Sequence, residues 1–392
     1  MNKVIPLSVP NFEGNEKKYV DDAVEKVWVS TGGAYVNQFE KNLANFLHTD
    51  NVCVCQSGTS ALHLSLVQAG VTLGDCVLVP PVTFIAAVNP VKYQFATPIF
   101  IDCDDSLCID PIKLRKFCEE KCEFKEGILK HKGNTVKALV VVHVFGNLAD
   151  MEAIMDIAKQ YHLTVIEDAT EALGSYFTSG KFKGKYAGTI GDFGAYSFNG
   201  NKIITTGGGG AITSNKAANV DHMRFLSTQA KTDPHAYIHD EIGYNYRMTN
   251  VQAALGVAQL EELPNFILRK QENYELYKQL FSEFNLCSLL PLREGTSSNK
   301  WFYSLVINRD LIKTPLTEIM LQLKNEGIET RAIWGLINEQ LPYLKDECFE
   351  IEKGPYYADR ILNIPCSTQI TREEIEYVAK TIKQVLLELK IC

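Results

Sequence analysis

The chain has 392 residues, 46% hydrophobic and 22% charged, which is ordinary for a globular enzyme and too long for one small core. Its 39 basic and 47 acidic residues give a formal net charge of −8, which argues against nucleic acid or an anionic membrane surface as partner. Any phosphorylated ligand must then be held locally, by loop amides and a few placed side chains.

Residues 1–10 carry one lysine and two prolines and no sustained apolar run, so no signal peptide is expected. No stretch approaches the length of a transmembrane helix, and a cytoplasmic location with the eleven cysteines as reduced thiols is the expectation. Cys118 and Cys122 lie one helical turn apart, but neither His131 nor Cys108 completes a zinc spacing. No metal site is expected.

Residues 15–29 read as an amphipathic helix that stops at Ser30-Thr31-Gly32-Gly33. A helix over 36–47 leads to a strand at Val52–Cys55. Next, Gln56-Ser57-Gly58-Thr59-Ser60-Ala61-Leu62 opens a helix running to about Ala69. Its first amides, with hydroxyls at Ser57, Thr59 and Ser60, form an anion seat; a plain N-cap accounts for the same residues.

The chain then alternates. Strands are predicted at 77–79, 98–101, 136–142 and 163–166, and helices at 84–93, 111–126 and Met151–Tyr161. This spacing implies an α/β fold, a mostly parallel sheet covered by helices on both faces. Segment 121–135 reads as a solvated excursion. Ligand groups in such sheets gather at the carboxyl ends of strands. Phe84, His143 and the pair Glu167-Asp168 fall there, and Asp168 is the better carboxylate for a protonated ring nitrogen. Core packing for Phe84, a packing role for His143 and a helix cap for Asp168 remain open readings.

The organising stretch is 191–212, GDFGAYSFNGNKIITTGGGGAI. An apolar run, 193–198, leads through Asn199-Gly200-Asn201 to Lys202, and four glycines follow at 207–210. A lysine held at a cleft floor loses proton affinity by desolvation, and its free amine can attack an aldehyde to form a Schiff base. The glycines would let backbone approach a flat ligand. Taken alone, the same residues read first as an ordinary surface lysine in a glycine-rich hairpin, and other stretches have to overturn that.

A strand at 211–213 leads to a helix containing Arg224 and Phe225, then to a loop over 228–240 with His235 and His239. The polar cluster Tyr244-Asn245-Tyr246-Arg247 precedes a small-residue helix at 251–260 and suits a subunit edge. A long helix at 266–284 carries the chain into a second domain. There, strands at Tyr303–Ile307 and 329–333, a helix at 316–326, the segment 360–365 and a final helix at 372–389 are expected. The expected division is 1–265, an N-terminal arm with the large domain, and 266–392, a smaller α+β domain. Arg331 and Trp334 read either as substrate contacts or as a strand-end surface pair.

An aldehyde-capturing lysine, an acid for a ring nitrogen, an aromatic to cover a ring and a phosphate seat are the parts of a pyridoxal 5'-phosphate site. With them the chain resembles the DegT-type sugar aminotransferases of fold type I, from Phe12 through Pro365. The resemblance rests on Ser30-Thr31-Gly32 with residues 36–40, residues 57–62, Phe84, Glu167-Asp168-Ala169, Ser197-Phe198 with Lys202, and residues 243–249. It implies that Lys202 bonds the cofactor aldehyde and shuttles the proton at the reacting carbon. It implies that Asp168 keeps the pyridine nitrogen protonated and that Phe84 stacks on the ring. Gly58, Thr59 and Ser197, with Ser60 in the same seat, would hold the phosphate. Asn245 would enter from the partner subunit of a homodimer with shared active sites.

Position 171 in this family is often glutamine, near the ring hydroxyl; here it is Glu171. Gly208 stands where many members have glutamate, which with residues 198–202 is similar to the branch acting on nucleotide-linked 4-keto-6-deoxy sugars. Residues 10–19 are similar to enzymes of bacillosamine and legionaminic acid synthesis. The implied reaction moves the amino group of L-glutamate to C4 of a UDP- or GDP-linked 2-acetamido-2,6-dideoxy-4-keto-hexose. Relatives that dehydrate the sugar usually carry histidine in place of the lysine, and a non-catalytic sensor would not need Lys202 and Asp168 together. A nicotinamide-binding Rossmann fold would want G-x-G-x-x-G, which Cys55-Gln56-Ser57-Gly58-Thr59-Ser60 does not supply.

Overall fold

The apolar runs expected as strands do pair, and most of them join one sheet. In the computed structural model, which describes residues 4–233 and 235–390, its order is Val52–Cys55, Gly210–Ser214, Phe193–Ser197, Thr164–Asp168, Asn134–Val142, Cys76–Val79, Thr97–Ile101 and Glu347–Phe349. Residues 1–3 of the N-terminal stretch, and Pro234 in the expected 228–240 loop, lie outside the described residues. From Phe193–Ser197 onward every neighbouring pair is parallel, whereas Gly210–Ser214 runs against both of its neighbours.

Val52–Cys55 and Cys76–Val79 are buried at every position. Successive side chains on a strand point to opposite faces, so burial at each position requires cover on both. Helices supply it, and their starts are chemically marked. Asp110 caps Pro111–Lys121 by accepting from Ile112 N–H at 2.8 Å, and Asp150 caps Met151–Tyr161 by accepting from Ala153 N–H at 3.1 Å.

The register places the site. Gly210 pairs with both Cys55 and Ser197, and Asp168 pairs with Ala195 and Val142. The reversed strand therefore begins at the edge where its neighbours end. Residues after positions 55, 142, 168 and 197 all emerge there, beside the start of 207–210.

Several expectations need correction. The helix expected over 84–93 is a short 3-10 turn, Ile85–Ala87, then Asn89–Tyr93, because Pro90 has no N–H to continue a helix from residue 86. The helix expected over 111–126 stops at Lys121. Glu123–Lys125 and Ile128–His131 then form a ribbon through a turn with Glu126 at φ 54° and Gly127 at φ 78°. Within the expected 228–240 loop, Lys231–Asp233 pairs with Ile238–His239. The strand expected over 329–333 is only Arg331–Ala332.

The helices expected at 251–260 and 266–284 are one, Asn250–Phe281, with Pro264 inside. Buried Leu260, Leu263 and Phe266 offset the ladder bond that Pro264 removes. The 265/266 boundary lies within this helix. A second, antiparallel sheet orders Cys287–Leu289, Tyr303–Ile307, Ile361–Ile364 and Arg331–Ala332. The N-terminal arm joins this later part of the chain: Ile5 N–H donates to Gly327 O at 2.8 Å, and Cys366 N–H to Leu7 O at 2.8 Å. Among the described residues, no helix is long and apolar enough to cross a membrane.

Candidate active site

The strand ends enclose a cavity of about 360 Å³. Lys202 reaches it from the turn after Phe193–Ser197, where its N–H donates to Asn199 O at 3.0 Å. Its side chain is only 12% exposed, with Nζ 3.7 Å from Glu171 Oε1 and 4.1 Å from the centre of the Trp301 ring. Burial lowers the affinity of this amine for a proton, against the pull of Glu171 and Asp168.

Asp168 ends its strand on the cavity wall, accepting from Thr170 N–H at 3.0 Å. Burial pushes its carboxyl upward, and the Thr170 hydrogen bonds with the nearby charge of Lys202 resist. Glu167, one residue earlier, faces the other way. It accepts from the N–H groups of Gly188, Ile190 and Gly191 at 2.9, 2.6 and 2.6 Å. His143 completes that cluster: Nδ1 accepts from Ala149 N–H at 3.1 Å, which leaves Nε2–H to donate to Glu167 at 2.9 Å. Both residues are fully buried and away from the cavity wall.

Glu171 lies on the wall as well. Its Oε2 accepts from Phe145 N–H at 2.8 Å, and burial pushes its carboxyl up to about 7, opposed by Lys202 and that N–H.

Gly58, Thr59, Ser197 and Phe84 complete the predicted wall. Helix Gly58–Gln68 starts here, with Ser57 Oγ accepting from Ser60 N–H at 3.0 Å. Gly58 must stay small, since a Cβ would meet Ser197 Cβ at 2.8 Å. Phe84 is 54% exposed, a phenyl facing open space rather than core. Ser60 lies just behind this wall. Its hydroxyl lies 2.8 Å from Ser57 Oγ, is taken up in the cap, and leaves the wall to its neighbours. Asn245 is exposed and outside this chain's own cavity, paired through a backbone bridge to Thr228.

Four lining residues carried no local signal or an ambiguous one. Trp301 has no motif around it, yet its indole N–H donates to Asn201 O at 2.8 Å and its ring sits over the lysine amine. Thr83 lines the cavity beside Phe84. Arg331 and Trp334, which the sequence left between two readings, both lie on the wall, and Trp334 packs on Phe145 with ring centres 4.8 Å apart. A larger recess of about 530 Å³ surrounds Arg293, but it shares no lining residue with the lysine's cavity. Arg293 meets Asp104 at 2.5 Å, and Lys353 meets Asp105 at 2.6 Å.

With this geometry in place, likeness to known proteins is informative. The pattern of the DegT/DnrJ/EryC1/StrS aminotransferase family matches residues 10–383. The chain is 36% identical to GDP-perosamine synthase of Escherichia coli O157:H7 over 386 residues, 97% of this chain and 98% of that one. It is 28% identical, over 92% of each chain, to UDP-4-amino-4,6-dideoxy-N-acetyl-beta-L-altrosamine transaminase of Campylobacter jejuni. The fold matches that of PseC from Helicobacter pylori, an aminotransferase involved in the biosynthesis of pseudoaminic acid. The TM-score is 0.88 at 22% identity, covering 98% of this chain and all of that one.

Proposed function

The chain belongs to the DegT/DnrJ/EryC1/StrS aminotransferase family, and on that premise we propose that it moves the amino group of L-glutamate to C4 of a nucleotide-linked 4-keto-6-deoxy sugar. The protein is a pyridoxal 5'-phosphate-dependent sugar aminotransferase. The observation that carries the finer reading is the buried Lys202 amine in one cavity with Asp168, Glu171, Phe84 and the start of a helix.

The residues present fit that cofactor. Two buried carboxyls share the cavity with one desolvated lysine, an arrangement that leaves room for a further positive charge such as a protonated ring nitrogen. Asp168 would hold that nitrogen, Phe84 would cover the ring face, and Gly58, Thr59 and Ser197 would seat the phosphate at the positive end of the helix. When bound, the cofactor supplies an aldehyde for amine exchange and a ring that takes up the electron pair of the reacting carbon. Lys202 Nζ would take the proton from the α-carbon of glutamate in one half of the cycle and deliver one to C4 of the sugar in the other. Its lowered proton affinity suits both tasks near neutral pH.

For the sugar we propose the 2-acetamido-2,6-dideoxy-4-keto-hexose of bacillosamine or legionaminic acid type synthesis, supported by the resemblance of residues 10–19. Among the relatives, one name carries GDP and another carries UDP with N-acetyl, so both nucleotides belong in the assay. We also propose a homodimer in which Asn245 completes the partner's site.

The test is the visible absorbance of the purified protein loaded with cofactor. A yellow band that bleaches with L-glutamate and returns with the UDP- or GDP-linked 2-acetamido keto sugar is expected. A band indifferent to glutamate overturns the donor, and recovery only with a sugar lacking the acetamido group overturns the proposed substrate. Absence of any band after soaking with cofactor overturns the role of Lys202.

A further inference from the structure

We propose that Glu171 shares one proton with the Lys202 amine, taking it when the amine has to be neutral and returning it when the amine has to act as an acid. The inference rests on Lys202 being the amine that reacts.

The two oxygens of Glu171 are placed for different tasks. Oε2 is fixed by Phe145 N–H at 2.8 Å, while Oε1 faces Lys202 Nζ at 3.7 Å. The donor is itself held rigidly: Phe145 has φ 56° and its ring packs on Trp301, Phe302 and Trp334. The backbone carbonyl of Glu171 accepts from Asn299 Nδ2 at 3.0 Å, and Asn299 is fully buried. The carboxyl is therefore anchored at both ends of its residue, with one oxygen left for the amine. Trp301 covers another side of Nζ at 4.1 Å.

The charged groups around the pair are few. Asp168 lies on the same segment and Arg331 faces the cavity from the later part of the chain. His143 is committed to Glu167 and Ala149. Moving the proton breaks one N–H bond of the ammonium and forms one O–H bond on Glu171, so an ion pair becomes a neutral amine and a neutral acid. Net charge is unchanged. Burial disfavours the ion pair, which brings the two forms close in energy; the upward shift of Glu171 and the downward shift of Lys202 agree with this. A glutamine at 171 would keep the Phe145 contact and could not hold the proton.

The experiment is the pH titration of Lys202 in cofactor-free protein, read as its rate of carbamylation by cyanate in mass spectra, for the wild type and Glu171→Gln. Because a shared proton leaves the amine neutral about half the time near pH 7, carbamylation of the wild type should follow two coupled titration steps, and Glu171→Gln should collapse them to a single step with a midpoint about one unit lower. An unchanged titration overturns the proposal and leaves Glu171 as a contact for the cofactor. Should the variant not fold, infrared spectra of wild-type protein labelled with 13C-glutamate carry the test. The protonated-carboxyl band of a glutamate must then appear in step with the neutral amine, and its absence overturns the proposal. Because no cofactor is present, this result stands apart from the absorbance test.

Discussion

Desolvation separates Lys202 from the chain's exposed lysines. Lys26 and Lys132 keep 68% and 70% of their side-chain surface in water and pair with ordinary carboxylates, whereas Lys202 keeps 12%. The difference is chemical, because only a desolvated amine is free base in quantity near neutrality. Lys202→Ala should lower turnover by about 10³-fold or more while cofactor and sugar nucleotide still bind, as read by single-turnover assay and by calorimetry. Full activity in that variant would remove the amine from the mechanism. At this scale the sequence was informative wherever a residue sits next to a recognisable turn, as Lys202, Asp168 and Phe84 do. It left residues 57–60 between an anion seat and an N-cap, and the Ser60 hydroxyl meets Ser57 in the cap; it gave no sign of Trp301, whose place is set by packing across about a hundred residues of chain.

Among elements, the run 207–210 shows why a shared residue type need not mean a shared task. Gly207 and Gly209 take positive φ, 78° and 152°, as the turn requires. A Cβ at Gly210 would lie 2.5 Å from the backbone carbon and oxygen of Ser57 and 2.7 Å from Tyr196 O, in the middle of the paired strands. Gly208 meets nothing closer than Gln252 Nε2 at 3.7 Å. Denaturant unfolding should therefore show Gly210→Ala losing about 2 kcal/mol or more, and Gly208→Ala staying within about 0.5 kcal/mol of wild type. Equal losses would contradict this division. The expectation that these glycines serve a flat ligand is thus replaced, for Gly210, by strand packing. Element types were legible from periodicity, but the merging of two helices through Pro264 was not, since burial of Leu260, Leu263 and Phe266 outweighs the local proline signal.

Over the whole molecule, segments far apart in sequence meet around the lysine loop. Gln259, 1% exposed, donates to Asn11 O at 2.7 Å and to Glu16 Oε1 at 2.6 Å, and accepts from Thr205 N–H at 3.1 Å. The N-terminal arm is thereby tied to the backbone three residues beyond Lys202. Asn245, placed in the proposed homodimer's shared site, is exposed and lies outside its own chain's cavity. If sites are shared in a dimer, Lys202→Ala and Asn245→Ala subunits that are unfolded together and refolded should regain activity above either variant alone. One of the two sites in each mixed dimer then has both residues intact. No gain on mixing would place Asn245 outside the active site.

The sequence by itself determined the strand–helix alternation, the sheet type and the candidate amine, because periodicity and turn chemistry are local. The tertiary structure alone decided what becomes of Glu167. Neighbours on a strand point to opposite faces, so Glu167 is consumed by three backbone N–H groups and His143 while Asp168 reaches the cavity. It also decided that Glu171 stands 3.7 Å from Lys202 and that Trp301 covers the amine, since those distances depend on how the chain closes over the strand ends.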